Sequence, residues 1–119
     1  MQTLIAKSTA SRNFKPFWGK LDPEDKTTKF KISGTILVIE DHIGWRLILK
    51  YLLQDRCDEI VTCTNAEDAY EYLYKSFSNI SLVLSDIDLP GISGLELLDK
   101  LKSQSSFSKI PVILQSGCS

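Results

Sequence analysis

The chain reads as an α/β protein built on a parallel sheet with helices on both faces. Three observations carry that expectation. Short, mainly apolar runs recur, Ile36-Leu37-Val38-Ile39 wholly so, and amphipathic stretches of helical period lie between them. The runs do not alternate apolar with polar, which is the pattern of strands buried on both faces. Three of them are followed at once by polar residues, where an open sheet of this class gathers its functional groups.

From Thr35 the pattern is sharp. Ile36-Leu37-Val38-Ile39 predicts the first strand, and Leu47, Ile48, Tyr51 and Leu52 share one face of a helix running from about Ile43 to Leu53. Glu59 to Cys63 predicts the second strand. Thr64-Asn65-Ala66-Glu67 has the form of a capping box, after which Ala66, Ala69, Tyr70 and Leu73 recur at helical spacing. Ile80 to Leu84 predicts the third strand. Ser93-Gly94-Leu95-Glu96 is a second capping box, ahead of Leu97, Leu98 and Leu101 on one face. Ile110 to Leu114 predicts a fourth buried strand. Strands alternating with helices imply right-handed crossovers and about four strands with three helices.

At 119 residues the chain has the length of one domain. With 43% hydrophobic residues, 24% charged and a net charge of -1, it can bury a core. Nothing in that balance marks a nucleic-acid binder, and no run is long enough to span a bilayer. Cys57, Cys63 and Cys118 are odd in number and lack metal-ligand spacing, which reads as reduced thiols in a cytoplasmic protein. Charge is uneven. Residues 1–34 hold seven Lys/Arg against three acids, and residues 35–119 hold seven against twelve. The chain is therefore read as a basic, flexible extension (1–34) followed by the α/β domain (35–119). Pro16, Gly19 and Pro23 interrupt the extension, and Phe14, Phe17 and Trp18 are expected to pack back onto the domain. No acid precedes Asp22, a composition shared with organelle transit peptides; a solvated basic tail is the reading adopted. Leu4-Ile5-Ala6 is too short for a secretory signal.

The strand ends carry the chemistry. The first predicted strand is followed by Glu40 and Asp41, the third by Asp86 and Asp88, and the fourth by Ser116. If those strands are neighbours, the side chains converge. Crowded carboxylates repel one another unless a cation sits among them. Hard oxygen donors favour magnesium, which binds one or two carboxylates together with phosphate oxygens. A carboxylate beside such an ion can act as a nucleophile toward phosphorus. The bland alternative is that these acids cap helices, Asp41 the first of them.

These residues resemble a known family. Thr35-Ile36-Leu37-Val38-Ile39-Glu40-Asp41-His42 is similar to the opening of bacterial response-regulator receiver domains, and Ser85-Asp86-Ile87-Asp88-Leu89-Pro90-Gly91-Ile92-Ser93-Gly94 to their phosphoacceptor loop. Ile110-Pro111-Val112-Ile113-Leu114-Gln115-Ser116-Gly117 resembles their strand ending in a switch hydroxyl. The resemblance covers about two-thirds of the chain. It implies a flavodoxin-like, doubly wound fold. It also implies Asp86 as phosphoacceptor and Mg2+ held by Asp41, Glu40, Asp86 and the backbone carbonyl of Asp88. Ser116 would hydrogen-bond the phosphoryl group. The implied donor is a histidine kinase or a histidine phosphotransfer protein, and the implied product is a phosphoprotein of a two-component phosphorelay; the receiver itself is not an enzyme.

The family pattern continues with a fourth helix, a fifth strand ending in a phosphate-pairing lysine, and a fifth helix, which residues up to Ser119 do not supply. The fourth strand would then be an open edge, inviting a homodimer or strand complementation. The alternating segment Thr28-Lys29-Phe30-Lys31-Ile32 is one candidate to cover it and bring a lysine nearby; the other reading is a fragment of a longer regulator. Two rival functions stand beside the phosphoacceptor. One is a receiver-like interaction module that is not phosphorylated. The other is a haloacid-dehalogenase-type phosphatase, suggested by Asp86-Ile87-Asp88, although Pro90 stands where those enzymes carry Thr or Val. His42, the sole histidine, is expected exposed at the start of the first helix, and Lys100, Lys102 and Lys109 form a solvated face.

Overall fold

The structure, a computed structural model, describes residues 3–7 and 31–116. In chain order its elements are β1 (Thr3–Lys7), β2 (Ile32–Ile39), α1 (Ile43–Leu53), β3 (Cys57–Cys63) and α2 (Ala66–Ser76). A short 3-10 turn at Phe77–Asn79 leads into β4 (Ile80–Asp86), α3 (Gly94–Lys102) and β5 (Val112–Ser116). The strands form one parallel sheet in the lateral order β1-β5-β4-β2-β3. Strands β2 to β5 with the three helices make the flavodoxin-like α/β unit that the sequence predicts.

The apolar runs divide cleanly between the two faces, because successive side chains of a strand point in opposite directions. Leu37, Ile39, Val83, Val112 and Leu114 join Ala69, Leu73, Leu97, Leu101 and Phe107 from the side of α2 and α3. Ile36, Val38, Leu82, Leu84 and Ile113 join Leu49 and Leu53 of α1 on the other side. A strand clad on both faces needs apolar residues at nearly every position, hence the mainly apolar runs. The helix starts are fixed by side chains that accept otherwise orphaned amides. His42 Nδ1 accepts from Trp45 N at 3.2 Å, Asn65 from Asp68 N at 2.7 Å, and Ser93 Oγ from Glu96 N at 3.2 Å.

Several expectations change on contact with the structure. The first helix does not bury the predicted stripe: Leu47 and Tyr51 are 61% and 62% exposed, Ile48 is exposed, and Leu49 and Leu53 are the buried residues. This helix is apolar on almost every side, so its period alone cannot choose a face. The first capping box is shifted by one residue. Asn65 caps α2, and Glu67 instead accepts the Ile92 amide at 2.8 Å. His42, not Asp41, caps α1.

The largest difference concerns the sheet edge. The outer edge of β5 is paired along its length with β1, from Thr3 opposite Val112 to Lys7 opposite Ser116. The open edge expected to invite a second copy is thus filled by this chain's own residues 3–7. Strand β2 begins at Ile32, three residues before the expected boundary at Thr35. Of the segment proposed to cover the edge, Ile32 belongs to β2, next to β4 and β3. Residues 28–30 lie outside the described residues, as do the Phe14, Phe17 and Trp18 cluster and Cys118.

The two faces of α1 give a direct check. Leu53→Ala removes a fully buried side chain and is expected to cost about 2–5 kcal/mol. Leu47→Ala on the same helix should stay within about 0.5 kcal/mol of the parent. Urea midpoints of the two variants decide it.

Candidate phosphoacceptor site

Strands β2 and β4 are neighbours in the middle of the sheet, with Ile39 opposite Ser85. That register brings the residues that follow β2 level with the end of β4. Glu40 and Asp86 are buried, at 4% and 8% exposure, while Asp41 is exposed at the rim. One carboxylate oxygen from each of Glu40, Asp41 and Asp86 lies within 4.8 Å of the others. Of the four acids expected to converge, these three do so, and the side chain of Asp88 does not.

Local structure holds Asp86 in place. It ends β4, and its Oδ1 accepts the amide of Asp88 at 3.1 Å. Ser85 Oγ donates to the Asp86 carbonyl at 2.9 Å, and the Gly94 amide donates to the Ile87 carbonyl at 2.9 Å. Position 94 must be glycine for steric reasons. A Cβ there would collide with the Asp86 carbonyl oxygen, so α3 starts hard against the end of β4. Gly91, at φ +74°, turns the intervening loop in the left-handed region that glycine favours. Glu67 reaches over from α2 to accept Ile92 N, and that bond draws the Glu67 carboxyl below its ordinary value.

Electrostatics mark the cluster as incomplete. Burial, the neighbouring Asp86 carboxyl and the charge of Asp41 push Glu40 up from 4.5 to about 8. Glu40 Oε2 is buried with no hydrogen-bond partner. Arg46 lowers the cost only in part, because its Nη1 donates to the backbone carbonyls of Glu40 and Asp41, at 3.0 and 3.3 Å. An orphaned buried carboxylate oxygen among three hard oxygen donors is what a small divalent cation would satisfy. The donor set fits magnesium.

The remaining predicted site residues are placed less tightly. The Asp88 side chain is exposed and stands outside the three-acid cluster. Ser116 ends β5, one residue beyond Gln115, which is opposite Asp86. Gln115 and Arg46 are the polar neighbours that sequence reasoning missed. Gln115 is 6% exposed, with its Oε1 lacking a partner. A polar residue closing an apolar strand was the available signal for it.

Comparison with known proteins supplies the family. The response regulator receiver domain family matches residues 36–119. The chain belongs to that family. The Arabidopsis thaliana two-component response regulator ARR16 is 31% identical over 94 residues, covering 69% of this chain and 57% of its own length. A Dictyostelium discoideum protein, 3',5'-cyclic-nucleotide phosphodiesterase regA, is 38% identical over 82 residues, covering 69% of this chain and 10% of its own length. The chain therefore spans less than two-thirds of these relatives. Among solved structures, the signal receiver domain of a signal transduction histidine kinase from Syntrophus aciditrophicus matches with a TM-score of 0.66 and 30% identity, over 72% of this chain and 64% of that one. Vibrio cholerae CheY4 shares the fold, with a TM-score of 0.64 and 23% identity over 70% of this chain and 68% of that one. Receivers of this kind serve two-component signalling, and the haloacid-dehalogenase reading of Asp86-Ile87-Asp88 gives way to the family match. No helix among the described residues is long and apolar enough to cross a membrane.

The raised Glu40 predicts how this receiver responds to pH. Between about pH 4.5 and 8 the folded chain holds a Glu40 proton that the unfolded chain has released. The metal-free protein should therefore lose stability as pH rises through that window, and Glu40→Gln should flatten the slope. Melting midpoints across the window test this; an equal slope in the variant refutes it.

Proposed function

We propose that the chain is a phosphoaccepting receiver in which Asp86 takes a phosphoryl group from a histidine kinase or histidine phosphotransfer protein. The supporting observation is the buried Asp86 within 4.8 Å of Glu40 and Asp41 at the carboxyl edge of the sheet. An Asp86 carboxylate oxygen forms the new P–O bond as the P–N bond to the donor imidazole breaks, and the electron pair stays on the imidazole nitrogen. Glu40, Asp41, Asp86 and the Asp88 carbonyl would hold Mg2+, which offsets the repulsion between the acids and the incoming phosphate. Burial shields Asp86 from bulk water, and the Asp88 amide orients its Oδ1. The Ser116 hydroxyl donates to the phosphoryl oxygens and reports the modified state.

One transfer per site makes the chain a stoichiometric acceptor, not a turnover enzyme. A cytoplasmic setting suits Cys57 and Cys63, free thiols whose pKa burial raises, which keeps them protonated and unreactive. A second reading, an interaction module that is not phosphorylated, draws on relatives named response regulator-like, such as Arabidopsis thaliana APRR9, 35% identical over 82 residues.

Incubation of the full chain with Mg2+ and acetyl phosphate, followed by intact mass, separates the two. The proposal expects one phosphoryl adduct that disappears in Asp86→Asn and without the metal. An unmodified wild-type chain favours the interaction module.

A further inference from the structure

The alternation of three adjoining strands sets a row of polar residues across the α1 side of the sheet. On β4, Leu82 and Leu84 join the core on that side, and on β5 Ile113 does. Two residues further along each strand come Asp86 and Gln115, which therefore share that side and lie opposite each other in the ladder. On β2, Val38 faces the same way, and Glu40 follows it by the same step. The Glu40 amide still donates to the Cys63 carbonyl at 3.0 Å, so strand pairing continues there. With Ile39 opposite Ser85, Glu40 comes level with Asp86. The order across the sheet is Glu40, Asp86, Gln115.

Both ends of this row share one property. Among the described residues, the buried side-chain atoms without a hydrogen-bond partner are Glu40 Oε2 and Gln115 Oε1. They flank Asp86. A buried acceptor left unpaired is costly, and an apolar side chain like that of Ile113 would fill position 115 without the cost. The strand cannot turn to relieve it, because the Ile87 amide donates to the Gln115 backbone carbonyl at 2.9 Å. Nor does Arg46 Nη1 serve it, being directed to the carbonyls of Glu40 and Asp41. Magnesium brings suitable donors with it: the ion keeps several of its waters, and their hydrogens need acceptors.

We propose that Gln115 is a positioning residue for the cation, its Oε1 accepting a hydrogen bond from a water of the magnesium hydration shell. The inference rests on the magnesium site of the phosphoacceptor reading above and adds to it a residue from β5. A neutral acceptor suits the place, since a fourth carboxylate would add to the repulsion among Glu40, Asp41 and Asp86. Outer partners of this kind orient the ligands of a metal and strengthen its binding.

Calorimetric titration of the full chain with Mg2+, together with melting midpoints of the metal-free protein, tests this in wild type, Gln115→Met and Gln115→Leu. Both variants nearly keep the side-chain volume and lose the acceptor. The proposal expects Mg2+ affinity to weaken by roughly 10- to 100-fold in each. The metal-free midpoint should stay level or rise, because an unpaired buried oxygen has been removed. Wild-type affinity in either variant overturns the assignment and makes the partner of Oε1 an ordinary buried water. A lower metal-free midpoint in both overturns it too, since Gln115 would then support the fold itself. So does a wild-type chain that binds no Mg2+. The acetyl phosphate adduct judges the underlying reading separately: a wild-type chain that binds Mg2+ yet takes no phosphoryl group defeats Asp86 as acceptor, while weakened Mg2+ binding in the variants still upholds Gln115.

Discussion

Repulsion among three carboxylates is the constraint around which this domain is arranged. Unpaired like charges only a few ångströms apart in a partly buried site shift their proton equilibria until one is neutral or a cation arrives. Here Glu40 bears the shift, because it is buried against Asp86 and has an oxygen without a partner. Such an arrangement persists only where the backbone cannot relax. Glu40 and Asp86 follow the two central strands, β2 and β4, each paired on both sides and packed on both faces. The close contact of α3 at Gly94 then fixes the exit of β4. The sheet holds the acids close enough to need a counter-ion, and that need is the chemical capacity of the site.

Much of this was legible in the sequence because the relevant signals are local. Ile36 to Ile39 is an unbroken apolar run, Ile80 to Leu84 is broken only by Ser81, and Ile110 to Leu114 only by Pro111, the trace expected of strands clad on both faces. Glu40, Asp41 and Asp86 could be grouped in advance since parallel strands end at one edge. Ser93 and Glu96 form their predicted cap bond. What could not be read depended on tertiary competition. α1 offers two apolar stripes, and only the docking of Leu49 and Leu53 chooses between them. Glu67 was open to use as a cap but serves the Ile92 amide, a partner 25 residues away. Arg46 gives no local signal of its use, because the two carbonyls it reaches belong to the strand end before its helix.

β1 was the least legible element. Thr3 to Lys7 is five residues with no flanking helix pattern, and its partner strand lies more than a hundred residues away. No local window carries that information. Closing so long a loop costs entropy, although the cost grows only logarithmically with length. The return is the satisfaction of the outer edge of β5, which otherwise presents unpaired amides and carbonyls to any passing strand.

That pairing also shapes how the site can respond. β5 lies between β4, which ends in Asp86, and β1, which ends in Lys7, so its backbone is hydrogen-bonded on both sides. Under the proposed function, Ser116 must answer a phosphoryl group on Asp86 from a strand that is not free to slide. Moving the strand as a whole would break ladder bonds to two neighbours, whereas turning a hydroxyl about χ1 breaks none of them. Under that reading the response of the site is carried by the Ser116 side chain, with the five-stranded sheet serving as the fixed frame against which that movement is read.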